Sequence, residues 1–182
     1  MTTATARAFF MRTERLGFGH WSADDFPLAR ELWGDARVTR LFGGPFDEAQ
    51  VRARLDREIS NQREFGFQYW PLFRLSDGAH VGCAGLRPFD RPDTLETGFH
   101  LRPSYWRDGI GGEAARAIVH HAFHGLRVGA LFAGHHPRNE ASRALLIRLG
   151  FECIGTEFYE PTGEMHPSYL LRNQGAAENR IG

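Results

Sequence analysis

The sequence predicts one α/β domain: a mixed, mostly antiparallel sheet of about seven strands with helices on both faces. Three observations lead there. The chain has 182 residues, about one domain's length. An early pair of apolar runs flanks Ser76-Asp77-Gly78-Ala79, a hairpin signal. From residue 94 onward strand-like and helix-like stretches alternate, the pattern of β-α-β units that carry helices on the sheet faces.

The elements follow in order. A first strand is expected over Leu16–Trp21. Ser22 opens a helix with Asp24 and Asp25 in its first turn, where the helix dipole favours acids. Phe26, Ala29, Leu32 and Trp33 form its apolar stripe, and it stops near Gly34. After the break at Gly43-Gly44-Pro45, a second helix runs from Asp47 to Gln62 with Val51, Leu55 and Ile59 inside. Strands are expected over Phe67–Leu75, His80–Leu86 and Thr94–Leu101. A helix over Gly111–His124 presents Ala115, Ile118, Val119, Ala122 and Phe123 to the core. Ala130–Gly134 reads as a buried strand. A helix over Asn139–Leu149 ends at Gly150, a C-terminal cap, and Phe151–Phe158 with Met165–Leu171 close the sheet. The domain spans residues 13–172, with flexible termini at 1–12 and 173–182.

Composition narrows the function classes. The chain holds 22 basic and 22 acidic residues, so it carries no basic footprint for nucleic acid or an anionic membrane. All the basic residues are Arg. Without Lys there is no Schiff-base lysine and no Walker-type phosphate lysine. No apolar stretch reaches the length of a membrane span, and the run Ala8–Met11 is too short for a signal-peptide core. Cys83 and Cys153 lie in apolar strand-like runs without a CxxC pair. Buried, reduced thiols in a cytoplasmic protein are expected, as monomer or homodimer.

The segment Trp106-Arg107-Asp108-Gly109-Ile110-Gly111-Gly112-Glu113-Ala114 follows a strand and opens a helix. Glycines there let amide groups converge, and the helix N-terminus adds positive potential, so the turn is a candidate phosphate cradle. An ordinary Gly-rich turn is the plainer reading. Gly109, Gly111 and Ala114 also fit the loose dinucleotide pattern, but that pattern needs an acid about 20 residues on. Between Ala114 and Asn139 there is no Asp or Glu.

With these residues the chain resembles the GCN5-related N-acetyltransferases (GNAT), in the branch of the ribosomal-protein N-terminal acetyltransferases. The family's Q/R-x-x-G-x-G/A loop matches Trp106 to Gly111, with Trp in first place. Asn139-Glu140-Ala141-Ser142-Arg143 and Leu149-Gly150-Phe151 resemble the branch's N-x-x-S helix and its G-F end. Thr13-Glu14-Arg15-Leu16 and Glu96-Thr97-Gly98-Phe99-His100-Leu101 match as well. The resemblance implies acetyl transfer from acetyl-CoA to an amine acceptor, with no metal. It implies that Trp106, Arg107, Asp108, Gly109, Ile110, Gly111 and Gly112 surround the pyrophosphate. Leu101 would pair with the pantetheine arm where two central strands splay, and Asn139 would hydrogen-bond that arm. Ser142 would help the thiolate leave, and Arg143 and Arg148 would add charge or face solvent. Many members carry a Tyr acid where this chain has Leu146.

A protonated amine cannot attack a thioester, so a base must take a proton. Glu96 is the candidate, on the strand face shared with Gly98 and His100; an ion pair with Arg is the alternative role. His135 and His136 are auxiliary candidates. His120 and His124, four apart on a helix, are expected to face solvent. The segment Phe65–Trp70 reads as core and acceptor-site wall. The acceptor is a protein N-terminus or a small amine. The alternatives are a non-catalytic acyl-CoA-binding module, or an enzyme on a cationic antibiotic or polyamine, for which Glu48, Glu58 and Glu64 are the acids to examine.

Overall fold

The computed structural model describes residues 7–176. Eight strands form one sheet: β1 (Met11–Arg12), β2 (Leu16–Phe18), β3 (Tyr69–Arg74), β4 (His80–Pro88), β5 (Thr94–Leu101), β6 (Ala130–Gly134), β7 (Glu152–Tyr159) and β8 (Glu164–Arg172). Their spatial order is β1-β2-β3-β4-β5-β6-β8-β7. Only β5 and β6 run parallel. The expected seven strands become eight because Met11–Arg12 pairs with Phe18 and Gly17. Asn173 likewise donates to the Gly129 carbonyl. Both lie in stretches that the sequence assigned to the termini; residues 1–6 and 177–182 lie outside the described residues.

Five helices cover the two faces: α1 (Phe26–Trp33), α2 (Ala36–Thr39), α3 (Glu48–Phe65), α4 (Ile110–His120) and α5 (Glu140–Arg148). The short α2 was not expected. It is one turn, capped by Asp35 through the Arg37 amide, too short to show a periodic stripe. Asp47 and Gln50 cap α3 reciprocally, and Gly66 ends it in a left-handed conformation, an arrangement worth about 1 kcal/mol at the N-cap alone. α4 continues as a π turn over His121–Gly125.

The sheet separates two cores. One lies under α4 and α5 and joins Trp70, Leu72, Leu86 and Leu131 of the sheet to Ile110, Ala114, Ile118 and Leu146 of the helices. The other joins Trp21, Tyr69 and Cys83 to Trp33, Val51 and Leu55 under α1 and α3. A bulge between Leu72 and Phe73 shifts the alternation, so Val81 and Cys83 face opposite cores. Cys83 is buried as expected, and burial pushes its thiol up to about 12. Cys153 is exposed instead. It lies on β7, which pairs only with β8 and is exposed along its whole length.

Candidate active site

The Gly-rich turn forms a preorganised cradle. Gly109, at φ 74°, is the N-cap of α4, and Arg107 stands at φ 63°. A non-glycine residue costs about 1 kcal/mol in that left-handed region, the kind of strain that functional turns carry. The first amides of α4 have no carbonyl partner within the helix and carry its positive end. The two glycines that follow differ. A Cβ at Gly111 would meet Leu101 and Phe99 at 3.4 Å; one at Gly112 would stand 3.5 Å from Arg116 and 3.6 Å from Leu145. Gly111 therefore faces the core, whereas Gly112 faces a cavity of about 500 Å³ lined also by Gly109, Arg116, Leu145, Arg148 and Leu149. Ile110 is buried and anchors the turn; Trp106 is exposed and donates its indole N–H to the Leu101 carbonyl at 2.8 Å. The Leu101 carbonyl, on the strand expected to run beside the pantetheine arm, thus accepts one hydrogen bond from the loop and keeps a second lone pair.

Arg15 braces the turn. Its Nε donates to Glu113 at 2.6 Å, its backbone N–H to the same carboxylate at 2.9 Å, and its Nη1 to the Asp108 carbonyl at 2.8 Å. Thr13 adds a third bond to Glu113 at 2.5 Å. These bonds hold Glu113 below the usual carboxylate range against the effect of its burial. The Thr13–Leu16 motif thus ties the chain's start to the cradle, a role invisible in its sequence alone.

At the start of α5, Asn139 caps the helix: its Oδ1 accepts the Ser142 amide at 3.1 Å. The Asn139 amide nitrogen is left to donate elsewhere, and the half-buried Ser142 hydroxyl makes no hydrogen bond among the described residues. For Arg143 the sequence left a role at the cofactor and a solvated helix face both open. It is exposed and pairs with Glu140 at 3.6 Å one turn away; Arg148 is the one that lines the cavity. Leu146 is buried in the core.

Glu96 stands where the sheet opens. The β5–β6 ladder runs Thr94↔Ala130, Leu95↔Leu131, Glu96↔Phe132 and ends, so the expected splay starts at Glu96. Among the described residues Glu96 has no ion pair within 4 Å. Its Oε1 accepts from the Tyr69 hydroxyl at 3.2 Å. The arginine opposite it in the ladder, Arg87, pairs with Glu58 instead. Glu58 is fully buried and also accepts from Arg54 Nε at 3.0 Å and the Tyr69 amide at 2.8 Å. The sequence left Glu58 outside the Val51–Leu55–Ile59 stripe, among the acids to examine for a cationic acceptor. The available signal was its spacing four residues from Arg54, the distance of helical ion pairs.

The histidines sort clearly. His100 accepts from the Trp33 indole at 3.2 Å through Nδ1 and stacks on Phe42. Burial, reinforced by Arg54 and Arg87, holds it neutral, well below its ordinary range. With that lone pair engaged, His100 is not a free base. His135 and His136 are both buried. His135 Nδ1 faces the His136 carbonyl at 2.8 Å, and His136 lies 3.4 Å from Glu164. His120 and His124 are exposed, as expected. Of the expected site residues, the fold gathers the loop, Asn139 and Ser142 around the α4–α5 side and sets Glu96 on the α1–α3 face at the splay.

Comparisons with known proteins agree with this fold. Residues 15–152 match the model of the acetyltransferase (GNAT) domain. An N-acetyltransferase of Bacillus subtilis, YoaA, is 24% identical over 80% of this chain and 84% of its own. FsC-acetyl coenzyme A-N(2)-transacetylase of Aspergillus fumigatus is 30% identical over 81% of this chain and 65% of its own. Among solved structures, a GNAT-family acetyltransferase from Bacillus anthracis superposes with a TM-score of 0.79 at 19% identity, covering 91% of this chain and 99% of that one. RimL, the ribosomal L7/L12 alpha-N-protein acetyltransferase, does so with 0.78 at 14% identity over 94% and 98%. The chain belongs to the acetyltransferase (GNAT) family and is an acetyl-CoA-dependent acyltransferase.

Proposed function

We propose that this protein transfers the acetyl group of acetyl-CoA directly to a primary amine, a protein N-terminus or a small amine, in the cytoplasm. The observation that carries the proposal is the position of Glu96 at the residue where β5 and β6 part. The cradle amides, with Arg116 and Arg148 beside Gly112, offer the positive, concave surface that phosphates need. Asn139 would donate to a pantetheine carbonyl. Glu96 would take the amine's proton, directly or through water, so that the lone pair attacks the thioester carbonyl. Ser142 would donate a hydrogen bond to the departing thiolate. Neither cysteine lies in the loop or in α5, so no acyl-enzyme is invoked.

The charge around Glu96 bears on the acceptor. A polyamine or aminoglycoside needs several carboxylates for its remaining ammonium groups. Glu58 is consumed by Arg54 and Arg87, while Glu48 and Glu64 lie exposed on α3. This favours a monoamine. Thiol release from acetyl-CoA, measured against N-terminal peptides, α-amino acids, polyamines and aminoglycosides, tests the reading. Amine-dependent release with a peptide or monoamine supports it. Release with polyamines alone overturns the acceptor class. Tight CoA binding without release to any amine overturns the enzyme reading in favour of a binding module.

A further inference from the structure

Tyr69 reaches Glu96 from a scaffold more constrained than a hydrophobic core requires. The ring is buried in the α1–α3 core. Its backbone N–H is bonded to Glu58, and its carbonyl accepts the Trp21 indole N–H at 2.7 Å. The Arg87 guanidinium lies over the ring, 4.3 Å from its centroid, and Arg87 and Arg54 are both fixed on Glu58. The far end of the ring is fitted just as closely. A Cβ at Gly98, two residues along β5 on the same face as Glu96, would stand 2.5 Å from the Tyr69 hydroxyl. The strand is bare there, and the hydroxyl occupies the space. Burial, reinforced by the Glu96 charge, pushes the phenol well above its ordinary range, so the hydroxyl is a permanent donor.

We infer that Tyr69 is a positioning residue for the transfer: its hydroxyl fixes the Glu96 carboxylate at the mouth of the splay, and the Arg54–Glu58–Arg87 triad fixes Tyr69. A carboxylate on a strand has two free side-chain torsions beyond Cβ, and each wrong rotamer removes the oxygen from the amine. One charge-assisted hydrogen bond selects a rotamer, the preorganisation that a base needs. Gly98 is required to leave the path open. The inference rests on the reading of Glu96 as the base.

Tyr69→Phe deletes the donor and little else. Turnover is expected to fall roughly tenfold, in line with the loss of one hydrogen bond to a charged group. The KM for acetyl-CoA stays unchanged, so the loss falls on turnover alone. Gly98→Ala keeps the hydroxyl but crowds it away from Glu96, so it should show the same kinetic change. The double variant should lose no more than either single one, because both break one bond. A Tyr69→Phe protein that melts lower yet keeps its turnover overturns the inference and leaves Tyr69 a packing residue. The two readings separate cleanly: if Glu96→Gln abolishes turnover while Tyr69→Phe does not alter it, only the positioning role fails. If Glu96→Gln is fully active, the base assignment fails and this inference with it.

Discussion

The two sides of the sheet solve different problems with different materials. On the α4–α5 side the working groups are mainly backbone: amides of the cradle, a glycine at 112 that leaves room, a capping Asn139. On the α1–α3 side they are side chains drawn from α3, β3, β4 and β5 to one point at Glu96. A cradle of amides can be encoded within a dozen consecutive residues, because a turn and a helix start bring them together locally. A carboxylate held by a tyrosine, itself held by two arginines, needs four elements in correct register. The proposed cofactor side is thus locally specified and the proposed acceptor side globally specified.

The sharpest way to break that contrast is Gly112→Asp. The new carboxylate stands in the first turn of α4, where the dipole favours it, so the protein should fold and melt normally. It also points at the cavity beside Arg116 and Arg148 and competes with any phosphate there. CoA binding by calorimetry is expected to drop below detection; retained affinity in a folded variant would remove the cavity from the cofactor site. Gly111→Asp is the poorer probe, since its side chain meets Leu101 and Phe99 first.

Acid should affect the other side. His80 is buried against Trp21 and Phe73 with both ring nitrogens unpartnered. Burial, with some help from Arg102, lowers it to about 4. The unfolded chain takes up this proton first, near pH 6.5. The stability that the neutral ring contributes is therefore complete above about pH 6.5 and is lost as pH falls toward 4, about 3 kcal/mol in all. Urea midpoints against pH should fall across that window in the native protein. They should stay flatter in His80→Phe, and an equal slope in both would assign the acid sensitivity elsewhere.

The smallest effect concerns Asn139. Replacing it by Asp keeps an oxygen for the Ser142 amide, so the cap survives, but removes the amide donor. Melting should stay within a degree or two while the KM for acetyl-CoA rises by roughly tenfold, one good hydrogen bond's worth. Asn139→Ala loses the cap as well, about 1 kcal/mol of stability, and confounds the two roles. An unchanged KM in Asn139→Asp would leave Asn139 a cap only.

What was legible in the sequence follows the same division. Strands Thr94–Leu101 and Ala130–Gly134 were read to the residue, and the loop and the Glu96 face followed from local spacing, whereas the capping role of Asn139 emerged only in the structure. What escaped is non-local. Arg87 faces Glu96 only through the register of the long-range β4–β5 pairing. Glu58 looks like a solvated helix residue until two arginines meet it from different elements. Arg143 and Arg148 are equally charged, and only the packing of α5 on α4 decides that the second lines the cavity. Cys153 resembles Cys83 in its apolar setting, but it falls on an edge strand that nothing covers.

The central claim is that the two sides are separable: one binds acetyl-CoA, the other moves the proton. Glu96→Gln tests it most directly, because it keeps the side chain's size and removes its basicity. CoA titration by calorimetry and steady-state turnover should be measured on the same preparation. The account predicts a CoA affinity within twofold of the native protein and a turnover lower by roughly 10²–10⁴-fold. A variant that keeps its turnover, or one that loses CoA affinity in step with its rate, would contradict it.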